Sequence, residues 1–164
     1  DLSAPDLINK KFKTERFGEI VLASNAFDEI VANDVLEHIP DLVTAMTNCL
    51  ELLKENGEFK IIVPYDLSYG AWQDPTHVRA FNQNSWLYYT DWFWYLGWNK
   101  YRFDLSTLNY SLSPSGQQLY KSGHVLNDII TKPRAVDSMS VVLKKRHLTI
   151  EEKEQAIQMS HQKR

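Results

Sequence analysis

Apolar residues change their rhythm several times along this chain, and each change predicts an element. Residues 1–26 scatter Leu2, Leu7, Ile8, Phe12 and Phe17 without a period; only Gly18-Glu-Ile-Val-Leu-Ala suits a short strand. Phe27–Asn33 reads as a buried strand with Ile30 and Val31 at its centre. The polar pair Asn33-Asp34 breaks that run. Pro40 and Asp41 then suit the first turn of a helix, where a fixed φ and a negative charge are both favourable. Leu42, Met46, Cys49, Leu50 and Leu53 keep helical spacing as far as Asn56-Gly57, residues that accept left-handed backbone angles at a helix end. Phe59–Val63 is the next strand, closed by Pro64. Strand, helix and strand together have the size of a βαβ crossover, which predicts a parallel pair within an α/β sheet.

Beyond residue 64 the pattern differs. Tyr65–Arg79 is a polar loop, and Gln83 to Gly97 carries a second helical pattern dense in rings. Tyr101–Ser111 and Val136–Arg146 alternate polar with apolar, as antiparallel strands closing a sheet edge would, and the loop between them contains Pro114 and Gly116. Thr149-Ile-Glu-Glu152 matches a capping box and predicts a solvated helix to residue 164. One domain over 1–164 follows: a βαβ core at 27–64, a substrate-side loop and aromatic helix at 65–100, closing strands at 101–148, and a terminal helix.

Composition narrows the function classes. With 43% hydrophobic and 24% charged residues the chain is globular rather than disordered. A net charge of −3 gives no electrostatic reason to expect nucleic acid, and the short Lys144-Lys145-Arg146 run reads as a solvated strand end. The single cysteine, Cys49, sits mid-helix on an apolar pattern and reads as packing; a disulfide within one chain is excluded. No apolar run reaches the ~18–20 residues of a bilayer span, so the expectation is a cytoplasmic protein without membrane contact.

With these residues in place, the chain resembles the carboxyl-terminal part of class I S-adenosylmethionine-dependent methyltransferases. The matching pieces are Phe27-Asp28-Glu29-Ile30-Val31-Ala32-Asn33, Val35-Leu36-Glu37-His38-Ile39, and Leu52-Leu53-Lys54-Glu55-Asn56-Gly57-Glu58-Phe59. Asp74-Pro75-Thr76-His77-Val78-Arg79 is similar to a segment of a subset of these enzymes. The resemblance implies a Rossmann-like methyltransferase sheet, mainly parallel with a closing antiparallel hairpin. It also implies S-adenosylmethionine as cofactor and methyl transfer to a small or medium acceptor. The family's Gly-x-Gly loop is not among these residues: the six glycines, at 18, 57, 70, 97, 116 and 123, are too far apart to form it. Three readings stand: a sequence incomplete at its amino end and so short of the first strand and helix, a degenerate relative without cofactor, or a second chain that completes the site. The competing function is a non-catalytic, methyltransferase-like protein acting through protein–protein contacts.

The resemblance places Ala32, Asn33, Asp34, Leu36 and His38 on the cofactor. Asp1 would correspond to the acidic residue that holds the ribose hydroxyls. The alternative for Asn33-Asp34 is a plain chain turn, and for His38 a hydrogen bond that pins the loop. Glu37-His38 is half of a His-Glu-x-x-His zinc helix without its second histidine, so no metal is expected. Tyr65, Asp66, Asp74, His77 and Arg79 form the densest polar group. His77 has the pKa range of a catalytic base for a hydroxyl or amine acceptor. Tyr65, Asp74, Arg79 and Trp86 are the candidates for substrate contact. The opposing reading folds Asp74, His77 and Arg79 into a structural cluster, with an Arg79–Asp74 ion pair. Finally, residues 86–98 hold eight aromatic rings, more than one helix face can hide, and are the candidate surface for a homodimer.

Overall fold

The computed structural model describes residues 1–162; positions 163 and 164 of the predicted terminal helix lie outside the described residues. A four-stranded sheet organises the chain. Its strands are β3 (Phe27–Asn33), β4 (Leu53–Pro64), β5 (Tyr101–Leu112) and β6 (Val136–His147), in the order β3-β4-β6-β5. The preceding strands β1 (Lys11–Thr14) and β2 (Gly18–Val21) form a separate antiparallel hairpin. Helices are α1 (Leu42–Leu52), α2 (Gly70–Gln73), α3 (Pro114–Lys121), α4 (Leu126–Ile129) and α5 (Ile150–Gln162). Among the described residues no helix is long and apolar enough to cross a membrane.

The βαβ unit forms with one displaced boundary. Asp41 caps α1, its carboxylate accepting from Thr44 N at 3.0 Å, and Ala45, Met46, Cys49 and Leu50 press onto the sheet. The helix ends at Leu52, because Leu53 turns extended and pairs with Phe27 at the start of β4. Asn56-Gly57 therefore sits inside a strand rather than at a helix end. Asn56 does adopt the left-handed conformation (φ 65°), where the register against β3 slips between Phe27 and Glu29.

The sheet is not mainly parallel. Only β3 and β4 run parallel; β4–β6 and β6–β5 are antiparallel. Nor is β3 fully buried. It is one of the two edge strands, and its parallel register sets Glu29, Val31 and Asn33 beside Glu58, Lys60 and Ile62. This face is open: Val31 is 55% exposed, and Lys60 pairs with Glu29 and Glu58 across it. The opposite face, with Ala32, Phe59, Ile61 and Val63, is the core side.

Two further expectations change. Gln83–Gly97 is not one helix but two 3-10 segments, Gln83–Tyr89 and Phe93–Leu96. The loop around Pro114 and Gly116 folds into α3 and α4. Lys145 is fully buried rather than solvated: Nζ donates to Asn25 Oδ1 (2.9 Å) and Leu53 O (2.7 Å) and lies 4.0 Å from the Tyr101 ring centre. Strand alternation points its neighbours Lys144 and Arg146 the other way.

Candidate functional site

The carboxyl end of β3 is the centre of the site. Asp34 takes the left-handed conformation (φ 50°) there, with its N–H held by Ile62 O at 3.0 Å. A non-glycine residue in that region costs free energy, and such strain gathers where a joint must aim a side chain. Asn33 and Asp34 are exposed, and neither side chain has a hydrogen bond or ion pair within the described residues. A short 3-10 turn, Leu36–His38, leads from this rim down into the core. Leu36 and Ala32 are buried behind it.

That turn carries Glu37 inward. The residue is 1% exposed, yet neither carboxylate oxygen has a hydrogen-bond partner. Burial pushes its pKa up, and the nearby Asp34 charge pushes the same way; its own backbone N–H, close by but short of hydrogen-bond geometry, and the two neighbouring histidines oppose them. Loop 74–79 folds over the turn. Val78 N donates to Glu37 O at 2.9 Å. His77 stacks edge-on against His38 with ring centres 4.6 Å apart, and His77 Nε2 lies 4.0 Å from Glu37 Oε1. His77 Nδ1 is 3.0 Å from Ala71 O, which can only accept, so Nδ1 carries a proton and Nε2 is the ring atom turned toward Glu37.

A second network orients His38. Thr76 Oγ1 donates to Asp74 Oδ1 at 2.7 Å, and His38 Nδ1 lies 2.9 Å from the same hydroxyl. With its own proton committed to Asp74, the hydroxyl accepts from His38 Nδ1–H. Two hydrogen bonds from Thr76, side chain and backbone, hold the Asp74 carboxyl below its usual range. The loop is locked from the far side by Arg79, whose Nη2 donates to Ile39 O (2.8 Å) and Pro40 O (2.6 Å). Arg79 thus binds backbone carbonyls, and no Arg79–Asp74 ion pair forms among the described residues.

The sequence candidates divide accordingly. His38, Asp74, His77 and Arg79 converge on the turn below Asn33 and Asp34. Tyr65 and Trp86 do not reach it. Tyr65 is buried, its hydroxyl spent on Gln83 Oε1 (2.9 Å) and Ile130 O (3.2 Å), and burial pushes its pKa up to about 12. Trp86 stacks on Phe81 in the core and lines a depression of about 480 Å³ against β5, at the opposite edge of the sheet from β3. Asp66 accepts from Asn82 Nδ2 at 2.9 Å. Asp1 is exposed and turns its carboxylate on Ser3 N and Oγ, and no hydrogen bond joins it to the β3 rim. Cys49 is buried and its thiol is pushed up to about 12, a packing residue as expected.

Nothing in the local sequence marks Glu37 as a buried, unpartnered acid. Glu37-His38 has no second histidine at helical spacing. The second histidine comes from a different loop, and no local spacing announces that contact. The one available signal was the density of polar residues between Tyr65 and Arg79.

A family profile described as a methyltransferase domain matches residues 3–102, more than half of the chain. Among solved structures, an S-adenosylmethionine-dependent methyltransferase from Archaeoglobus fulgidus is similar with a TM-score of 0.49 and 15% identity, covering 74% of this chain and 60% of that one. The [4+2]-cyclase SpnF has a TM-score of 0.48 and 16% identity over 75% of this chain and 51% of its own. An S-adenosylmethionine-dependent methyltransferase from Mesorhizobium loti has a TM-score of 0.48 and 11% identity over 76% and 64%. The chain thus spans about half to two-thirds of the length of these proteins. A search of curated proteins finds no match.

Proposed function

The chain belongs to the methyltransferase domain family, and from that premise we propose that it takes part in S-adenosylmethionine-dependent methyl transfer to a small or medium acceptor. The observation that carries this reading is the uncommitted pair Asn33-Asp34 at the carboxyl end of the parallel strands. Free polar groups at that position are what a ligand of an open α/β sheet requires. Here Ala32 and Leu36 are the buried backing of a cofactor wall, and Asn33 and Asp34 offer its hydrogen-bonding groups. This donor set fits one wall of S-adenosylmethionine; the described residues bring no glycine loop to the opposite side.

When bound, the cofactor supplies a methyl group made electrophilic by its sulfonium. The residues of this chain would align the acceptor, exclude water and receive its proton. Glu37, His38 and His77, directly beneath the rim, are where that proton would leave the acceptor. Asp74, Thr76 and Arg79 are positioning residues that set the two rings. Exposed Trp72 and Tyr69, on and beside α2, give the acceptor an apolar surface near the loop.

Calorimetry with S-adenosylhomocysteine tests the reading. The folded chain is expected to bind it. Asn33→Leu is expected to weaken binding about ten-fold, the loss of one good polar contact, while the melting temperature stays within a degree or so, as for most surface substitutions. A folded chain that gives no binding heat would sink the enzyme reading for these residues and favour the non-catalytic one; equal binding by Asn33→Leu would remove Asn33 from the site.

A further inference from the structure

We propose that Glu37, His38 and His77 bind a divalent first-row transition metal ion. A carboxylate oxygen of Glu37 and one ring nitrogen from each histidine lie within 4.8 Å of one another. Bond lengths of about 2.0–2.1 Å to zinc place two ligands of a tetrahedral ion roughly 3.3 Å apart. The set is therefore open by at most about 1.5 Å, which binding of the ion would have to draw in.

Two independent observations point to a ligand here. First, Glu37 is 1% exposed and both of its oxygens lack a hydrogen bond. A buried carboxylate without partners is costly, and its nearest cation candidate, His77 Nε2, stands at 4.0 Å, too far for a hydrogen bond. Coordination would satisfy what the protein leaves unsatisfied. Second, both histidines are oriented in the manner of metal ligands. His77 gives its Nδ1–H to Ala71 O, and His38 gives its Nδ1–H to Thr76, itself anchored on Asp74. Each ring thus has its Nδ1 held by an outer partner, which would leave Nε2 as the atom offered to an ion. Two nitrogens and one carboxylate favour zinc, iron, cobalt or nickel over magnesium, which prefers oxygen donors and keeps its waters. Three protein ligands leave a position open for water or for an acceptor oxygen, close under the exposed Asn33-Asp34 rim.

The site stands on this geometry and does not require methyl transfer; with an ion bound, a water on the open position, rather than the three ligands themselves, would receive an acceptor's proton. The chelator-stripped chain is titrated with Zn²⁺ and with Co²⁺ by calorimetry, and visible absorption reads the cobalt form. One ion per chain is expected, with affinity reduced by about 100-fold or more in Glu37→Gln and His77→Gln. His147→Gln and His124→Gln, outside the cluster, should bind as the parent does. Should Glu37→Gln fail to fold by circular dichroism, the half-exposed His38→Gln carries the same test. A folded parent that takes up no stoichiometric ion, cluster variants that bind as tightly as the parent, or Mg²⁺ that binds as well as Zn²⁺ would each overturn the proposal. S-adenosylhomocysteine binding is measured in parallel, so loss of the metal site and loss of the cofactor reading are separate results.

Discussion

Glu152 ties three elements together through one carboxylate. Arg102 Nε donates to it at 2.8 Å, Arg146 Nη1 and Nη2 both at 2.7 Å, and Thr149 N at 2.9 Å. The hydrogen bond from Arg146 is the main reason its pKa falls to about 2, and the guanidinium rises in turn. The carboxyl is lowered relative to an unfolded value of about 4.3, so its stabilisation is fully present above that pH and is lost as pH falls towards 2. At 18% side-chain exposure little of it is screened away, and the contribution is of order 2–3 kcal/mol. Glu152→Gln is expected to cost about 2 kcal/mol at pH 7 and to flatten the decline in stability between about pH 4.3 and 2. Urea denaturation across that range checks it; parallel acid limbs for the two proteins would refute it. The Thr149–Glu152 half of this cluster was legible as a capping box, because the partners are three residues apart. The arginines were not, because strand pairing across the sheet delivers them. The same holds at the candidate site, where His38 and Asp34 were visible as a strand-end motif, but the inward turn of Glu37 and its meeting with His77 depend on a loop folding over.

Elements were legible where one period governed a whole segment. Tyr101–Leu112 and Val136–His147 were plain from alternation, and α1 from its apolar spacing. The aromatic stretch misled because rings at nearly every position fit any period. Bulky rings lose side-chain freedom in an α-helix, and here two 3-10 turns and the residues flanking them bury Trp86, Tyr89, Phe93 and Trp98 while Tyr88, Trp92 and Tyr95 stay outside. Helix α3 was missed for another reason: its polar surface hides a contact that only the fold reveals. Ser113 caps the helix, with Oγ accepting from Gly116 N (3.2 Å) and donating to Arg134 O (2.6 Å). Gly116 then lies flat on the turn leading into β6, where an added Cβ would stand 1.9 Å from Ala135 O. That is backbone, which cannot step aside. Gly116→Ala, favourable in an ordinary helix interior, should here destabilise by about 2–3 kcal/mol. Thermal melting measures it, and a melting point at or above that of the parent would show that α3 can lift off without cost.

Strand order was the part of the whole molecule that no local pattern could supply. A parallel pair predicts cover on both faces, yet the face bearing Glu29, Val31, Asn33, Lys60 and Ile62 lies open, made tolerable by the Lys60 ion pairs and by Ser138 and Ser140 on the neighbouring strand. Stability must then be uneven. Strands β4 and β6 are paired on both sides and carry the core residues Phe59, Ile61, Val63, Met139, Val141 and Leu143. The β1–β2 hairpin pairs only with itself, none of its residues is buried, and its ion pair, Lys11–Glu19, is exposed. An exposed pair of that kind contributes at most about 1 kcal/mol. Strand β3 lies between these extremes, bonded on one side and bare on the other. Opening free energies follow that order, because local opening costs only the burial and pairing it breaks. Native-state hydrogen exchange is therefore expected to find the Ile61 and Val141 amides opening only with the whole molecule. The Phe12 and Ile20 amides should open within about 1–2 kcal/mol of the unprotected rate, and those of β3 at intermediate values. Hairpin amides as protected as those of β4 would mean that the small sheet is fastened to the large one far more firmly than its exposure and pairing account for.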